Sequence, residues 1–299
     1  MRRGVSIIVA GAALLLLATA AVAFARSAAR VTPAAHGNGF FRSHCSYSHT
    51  LDDDPILMPT MPGQSMVHEF FGNPTTHAAS TADQLRAAHR TSCTAPGDTS
   101  AYWLPALYEK GKRVAPTFLL AYYRTSGRPA PSINAFPAGL QMIAGNETAL
   151  APQPLSVAYW DCGAKAGAPH TAAPAAHCPA GTQLVLTLTF PDCWDGHTLA
   201  GATQKNVAYA VSGRCPAGYP VAVPQLVLHE HFAISGGGGF TLSMGPKMQT
   251  MKNSIYTSHA DFVNAWDASV LTSLVAQCDV GSLKCGTVGP ENTPLGVKQ

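Results

Sequence analysis

Apolar and polar positions alternate over residues 183–190, with Leu184, Leu186 and Leu188 on one side and Val185, Thr187 and Thr189 on the other. A period of two over that length predicts a strand in a largely buried sheet. Residues 117–123 (Thr-Phe-Leu-Leu-Ala-Tyr-Tyr) predict another from their aromatic and branched content, as do 206–211 and 225–234. Gly236 to Gly239 then read as a flexible hairpin connection before Phe240-Thr241-Leu242. They are a poor phosphate cradle, because neither Lys-Ser/Thr nor a helix follows.

One long helix is predicted over 259–277, where Phe262, Val263, Trp266, Val270 and Leu274 recur at three- and four-residue spacing and Ser258 with Asp261 form a capping-box pair. A shorter helical run to about Arg90 starts at Ser80-Thr81-Ala82-Asp83. Asp54-Pro55, Pro59, Pro62 and Gly63 exclude a long helix in the approach to residue 65, leaving His68 and Glu69 on an irregular, loop-like segment. Strands outnumber helices and do not alternate with them, so the fold class is mainly β, α+β at the margin. The expected form is a β-sandwich or jelly-roll-like domain with long disulfide-tied loops and a C-terminal amphipathic helix.

Arg2 and Arg3 precede an apolar run over 5–24, and Ala23-Phe24-Ala25 offers small residues where a signal peptidase reads. Residues 1–25 are therefore expected to be a signal peptide cleaved before Arg26, with an uncleaved anchor as the alternative, since the run approaches the about 20 residues that span a bilayer. Residues 26–39 lack any apolar period and read as a disordered stalk. A single β-rich domain should fill 40–286, and 287–299 a flexible tail. The expected location is secreted and extracellular, with no membrane contact after cleavage.

Eight cysteines beyond that signal fit disulfides. Of about a hundred pairings, proximity selects Cys45 with Cys93, Cys162 with Cys178, Cys193 with Cys215, and Cys278 with Cys285. The Ala, Pro and Gly residues of 164–180 then form a tied surface loop. A net charge of +3 on only 12% charged residues gives no nucleic-acid footprint.

Several blocks in order resemble the family of secreted bacterial and fungal proteins known as DUF1996, a domain of unknown function. They are Asp54-Pro55-Ile56, residues 65–73 (Ser-Met-Val-His-Glu-Phe-Phe-Gly-Asn), residues 100–105 (Ser-Ala-Tyr-Trp-Leu-Pro), residues 136–142, residues 190–196 with Cys193-Trp194-Asp195-Gly196, residues 215–224, and residues 259–267 (His-Ala-Asp-Phe-Val-Asn-Ala-Trp-Asp). The resemblance implies a secreted β-rich domain, joined in some fungal relatives to carbohydrate-binding modules, and assigns no activity. Where the family has His-x-His, this chain has Met66-Val67-His68, so the first imidazole is absent.

His68 and Glu69 form a candidate acid-base or ligand pair, although adjacent residues of an extended backbone point apart. The bland alternative has His68 bonding a loop carbonyl. His259 and Asp261 head the predicted helix, where capping already accounts for Asp261 and leaves His259 the stronger functional candidate of the two, with a satisfied core histidine one turn before Phe262 and Val263 as the alternative. Trp160, Trp194 and Trp266 each precede an aspartate, and aromatic faces beside carboxylates suit sugar rings, as they also suit ordinary turns and cores. His229-Glu230-His231 on a predicted strand puts both imidazoles on one face, a geometry for a divalent metal. The downstream carboxylate of a cupin site is missing, which favours an exposed strand face. No cofactor is expected, and a divalent metal stays the open alternative.

Two functional readings follow. In the first, a secreted hydrolase acts on cell-wall or environmental polysaccharide, with His68, His259, Asp54, Asp195, Asp261 and Asp267 as catalytic candidates. Tyr102, Trp103, Trp194 and Trp266, with Asn73 and Asn264, are its substrate-binding candidates. In the second, a non-catalytic glycan-binding or envelope protein uses those aromatics as its binding face. A purely structural role for the His and Asp blocks is the third alternative.

Overall fold

The computed structural model of the chain describes residues 1, 39–128, 133–163, 167, 169–247 and 249–286. The expected signal, the stalk up to residue 38 and the tail lie outside the described residues. In chain order the strands are β1 (Phe40–Leu51), β2 (His68–Gly72), β3 (Ala101–Pro105), β4 (Leu107–Glu109), β5 (Lys112–Val114), β6 (Pro116–Arg124), β7 (Gln141–Gly145), β8 (Ala158–Asp161), β9 (Leu184–Thr189), β10 (Cys193–Trp194), β11 (Val207–Ala208), β12 (Val221–Ala222), β13 (Gln225–Phe232), β14 (Phe240–Leu242), β15 (His259–Val263) and β16 (Lys284–Cys285). Among the described residues the α-helices are α1 (Ala82–Ala88) and α2 (Ala268–Leu274), α2 running on into a π turn over Val275–Val280, and a 3-10 turn spans Ser254–Thr257.

Ten strands make one sheet in the order β7-β15-β3-β2-β1-β6-β13-β9-β8, with β16 added in parallel to the start of β1 and every other pairing antiparallel. The sheet curls until β7 comes near β9, giving a nearly closed barrel. Strand β9 is buried along its whole length, as its alternation required. The interior is filled by Phe41, Tyr123, Phe136, Phe190, Phe262 and Trp266 among others, in tilted and edge contacts.

On the outer side of β7-β15-β3-β2 lies a second, smaller core. Residues directly opposite in an antiparallel sheet share a face, and the register aligns Phe70, Trp103, Asp261 and Ile143 in one row. Ile56 and Leu85 of α1 cover that row, and Phe70 stacks on Trp103 at 5.7 Å.

All four disulfides form as proximity selects: Cys45–Cys93, Cys162–Cys178, Cys193–Cys215 and Cys278–Cys285. Four such bonds fit an oxidising compartment. Among the described residues no helix is long and apolar enough to cross a membrane.

Four local expectations are corrected. The long helix of 259–277 is strand β15 followed by the short helix α2: β15 is paired on both sides, with β3 and β7, and Ala260 and Phe262 face the barrel interior while Asp261 and Val263 face outward. Its cap is Asp267, which accepts from the amides of Ser269 and Val270, so the Ser258–Asp261 box does not exist. In α1 the capping pair is Thr81 with Gln84, one residue on from Ser80 and Asp83. His68 and Glu69 open strand β2 and are not in a loop. The glycines 236–239 do not turn a hairpin, because β14 pairs with β4 and not with β13.

Candidate functional site

Strand β3 lies between β2 and β15, and this brings two distant histidines together. His68 sits opposite Pro105 of β3, and Asp261 opposite Trp103, so His259, two residues before Asp261, falls on the far side of Pro105. Both imidazoles rise on the outer face and meet over that proline. Their Nε2 atoms are 3.2 Å apart and the rings lie edge to face at 89°. Asp261 follows on the same face, its Oδ2 3.7 Å from His259 Nε2.

The tautomers are fixed by the partners. His68 Nδ1 is 3.0 Å from the Asp53 carbonyl and His259 Nδ1 is 2.8 Å from that of Thr257. A carbonyl only accepts, so each Nδ1 carries the hydrogen and each neutral ring presents a bare lone pair at Nε2. Burial pushes both histidines down to about 4, and in His259 the neighbouring His68 adds to the effect. Asp261 is completely buried, and among the described residues none gives a hydrogen bond to either carboxyl oxygen. Burial, reinforced by Asp54 and Glu147, holds it well above the usual carboxylate range.

Above the pair is a pocket of about 340 Å³ whose lining includes Asp54, Ser65, Met66, His68, Glu147 and His259. The segment before β2 forms one wall and is cinched by carboxylates. Asp53 accepts from the amides of Gly63 and Ala78, and Asp54 Oδ1 accepts from those of Ile56 and Leu57, each within 2.8–2.9 Å. Burial raises Asp54 against the lowering effect of those amides. A second wall comes from Met244, Gly245 and Gln249, joined to the first where the Val67 amide donates to Ser243 Oγ at 2.9 Å.

Of the sequence candidates, His68, His259, Asp54 and Asp261 therefore converge. Asp195 and Asp267 lie outside the pocket: Asp195 Oδ1 accepts from the amides of His197 and Thr198 in a turn, and Asp267 caps α2. Tyr102, Trp103 and Trp266 are buried core residues, which corrects their reading as a sugar-stacking face, since a covered ring has no face to offer. Trp194 is half-buried, its Nε1 donating to Thr198 O at 2.7 Å. Asn73 donates to the carbonyls of Leu85 and Thr99, and Asn264 to those of Phe136 and Pro137, so both amides tie loops together.

Glu69 points to the opposite side of β2 from His68, where it accepts from Thr50 Oγ1 at 2.7 Å and pairs with Arg113 at 2.6 Å. His229 and His231 stand on the half-exposed outer face of β13, His231 stacked on Phe118 at 4.1 Å and His229 bonded to Thr187, with Glu230 buried behind them. Glu147, Gln64, Gln249 and the pocket-facing position of Met66 were missed by sequence reasoning. The absent His-x-His histidine pointed to residue 66; Glu147 reads only as the middle of the glycosylation pattern Asn146-Glu147-Thr148, and nothing local marks Gln64 or Gln249.

No curated protein and no solved structure matches the chain. A family model matches residues 54–266, a span that contains His68, Glu147, His259 and Asp261. With well over half its length matched, the chain belongs to the family described as "Domain of unknown function (DUF1996)".

Proposed function

We propose that the chain is an exported hydrolase acting on cell-wall or environmental polysaccharide in the pocket over His68 and His259. The observation that carries this reading is the gathering of two imidazoles with open Nε2 atoms and the carboxyls of Asp54 and Glu147 at one small pocket, with Asp261 buried behind His259. Cleaving a glycosidic bond needs one group to give a proton to the leaving oxygen and another to draw a proton from the attacking water. Asp54 and Glu147 line the pocket as candidates for the first role, and the histidine pair for the second. At about 340 Å³ the pocket is near the lower end for small-ligand sites. It suits a chain end or a single sugar unit better than a long stretch of polymer.

Export rests on the basic-apolar-small pattern of residues 1–25 together with the four disulfides. The alternative of a non-catalytic glycan-binding or envelope protein loses three of its four aromatic contacts to the core and keeps only Trp194.

The test is a product-release screen of the oxidised protein on soluble and insoluble cell-wall glycans. Oligosaccharides released by the wild type and absent with His68→Ala support the hydrolase. Retention on a glycan without release would favour the binding module, and no effect across the panel would sink the polysaccharide reading.

A further inference from the structure

We infer that His68, His259 and Asp261 form a binding site for one divalent first-row transition ion of the zinc class, seated between the two Nε2 atoms. The inference starts from the same open Nε2 atoms as the preceding reading but is independent of its substrate, since an ion can be held whether or not a glycan is ever cut; with the ion bound, those nitrogens would hold it and not serve as the base.

The first support is the direction of the lone pairs. Each Nδ1–H is committed to a backbone carbonyl, so two acceptor nitrogens face each other at 3.2 Å with no hydrogen of their own between them. Lone pairs in that arrangement repel unless a cation lies between. The backbone contact at Nδ1 is also the partner that metal-bound histidines ordinarily have: it fixes the ring and leaves Nε2 for the ion.

The second support is distance. Ligand atoms about 2.0–2.2 Å from a zinc-class ion in tetrahedral geometry lie roughly 3.3–3.5 Å from one another. Here the separations are 3.2 Å between the nitrogens and 3.7 Å from His259 Nε2 to Asp261 Oδ2, and all three ligand atoms lie within 4.8 Å of one another. Little motion is needed to close on an ion.

The third is the carboxyl itself. Asp261 is fully buried, with both oxygens lacking a hydrogen-bond partner among the described residues, on a sheet row it shares with Phe70, Trp103 and Ile143. A buried carboxyl without a partner is costly, and a cation at the neighbouring imidazoles supplies one. Three protein ligands leave a coordination position facing the pocket, the arrangement of an open site as opposed to a closed structural one. Met66 lines the same pocket two residues before His68.

The experiment uses the full, oxidised chain stripped with EDTA and titrated with zinc chloride alone, then with cobalt chloride for its visible absorption. One ion per chain is expected, and zinc at 100 times its Kd should raise Tm by about 5–10 °C. His68→Ala, His259→Ala and Asp261→Asn should each weaken zinc by at least the roughly 10–100-fold that loss of an outer partner alone costs. His229→Ala and His231→Ala, on β13 and separated from β2 by strands β1 and β6, should leave affinity unchanged. Met66→His, which adds a third imidazole at the pocket wall, should tighten binding by about tenfold or more and keeps the inference testable if an alanine variant fails to fold. Zinc bound no more tightly by the wild type than by His68→Ala, or Met66→His without effect on affinity, would overturn the site and leave a shared proton between the rings.

Discussion

Tyr123 connects the barrel interior through a single hydroxyl. It accepts from Trp266 Nε1 at 2.9 Å and lies 2.5 Å from the Tyr102 hydroxyl, which in turn reaches Asp98 at 2.9 Å. Tyr123→Phe keeps the ring and leaves a buried indole N–H without its acceptor, a loss of about 1–3 kcal/mol. Thermal unfolding should show it as a Tm lower by several degrees, at about 2–4 °C per kcal/mol for a domain of this size; an unchanged Tm would mean the chain of hydroxyls contributes nothing net. Asp279 offers a pH test at another buried group. Among the described residues its two oxygens have no hydrogen-bond partner, and burial pushes its carboxyl up to about 9. The folded form therefore keeps a proton that the unfolded chain releases near 4. The resulting stability is fully present below that lower value and is lost as pH rises towards about 9. Tm measured from pH 5 to 9 should fall, and Asp279→Asn should flatten much of that fall.

Strand β15 depends on two glycines placed beside its neighbours. Gly145 faces His259 across the β7 pairing with φ +82°, and a Cβ there would lie 2.3 Å from the Ser258 carbonyl and 2.9 Å from His259 Cα. Gly145→Ala should therefore push His259 off its partner ring. Product release, if the hydrolase reading holds, and zinc affinity should both drop, while far-UV circular dichroism stays near that of the wild type. Gly72, at φ +80° and with a Cβ position 2.1 Å from the Ser100 carbonyl, plays the same part between β2 and β3. Gly72→Ala should lower Tm by more than Gly145→Ala does, because β2 lies between β3 and β1 near the centre of the large sheet.

The same strand marks how far the sequence could be read. β9, β6 and β13 were legible because their patterning is local, and the disulfides because every pair lies within 48 residues. In residues 259–263 an apolar residue at every second position fits a strand, while the three- and four-residue spacings running on to Leu274 fit a helix. The decision came from Ala101–Trp103 and Gln141–Gly145, over a hundred residues away. For that reason the two histidines could each be nominated, but their meeting over Pro105 could not. Glu147 carried only the glycosylation pattern Asn146-Glu147-Thr148, which says nothing of a pocket, and enters because β7 ends beside His259.

Over the molecule as a whole, the disulfides differ mainly in how much chain they close: 48 residues for Cys45–Cys93, 22 for Cys193–Cys215, 16 for Cys162–Cys178 and 7 for Cys278–Cys285. Chain entropy alone would then make paired serine variants cost about 4 kcal/mol for the first and about 2 kcal/mol for the last. Guanidinium midpoints in that order would support the entropic account; the reverse order would point to strain or packing at the buried sulfurs instead.

The last strand has a mechanical consequence. The Phe40 amide donates to the Leu283 carbonyl at 2.9 Å, and β16 runs beside the first two residues of β1. The chain therefore enters and leaves this unit at one spot, as the two pins of a plug do. Spliced into a host protein's loop, or strung in tandem, such a unit would add bulk without adding span. Tension on its two flanks would load a two-residue seam and one cysteine clasp before any of it reached the barrel.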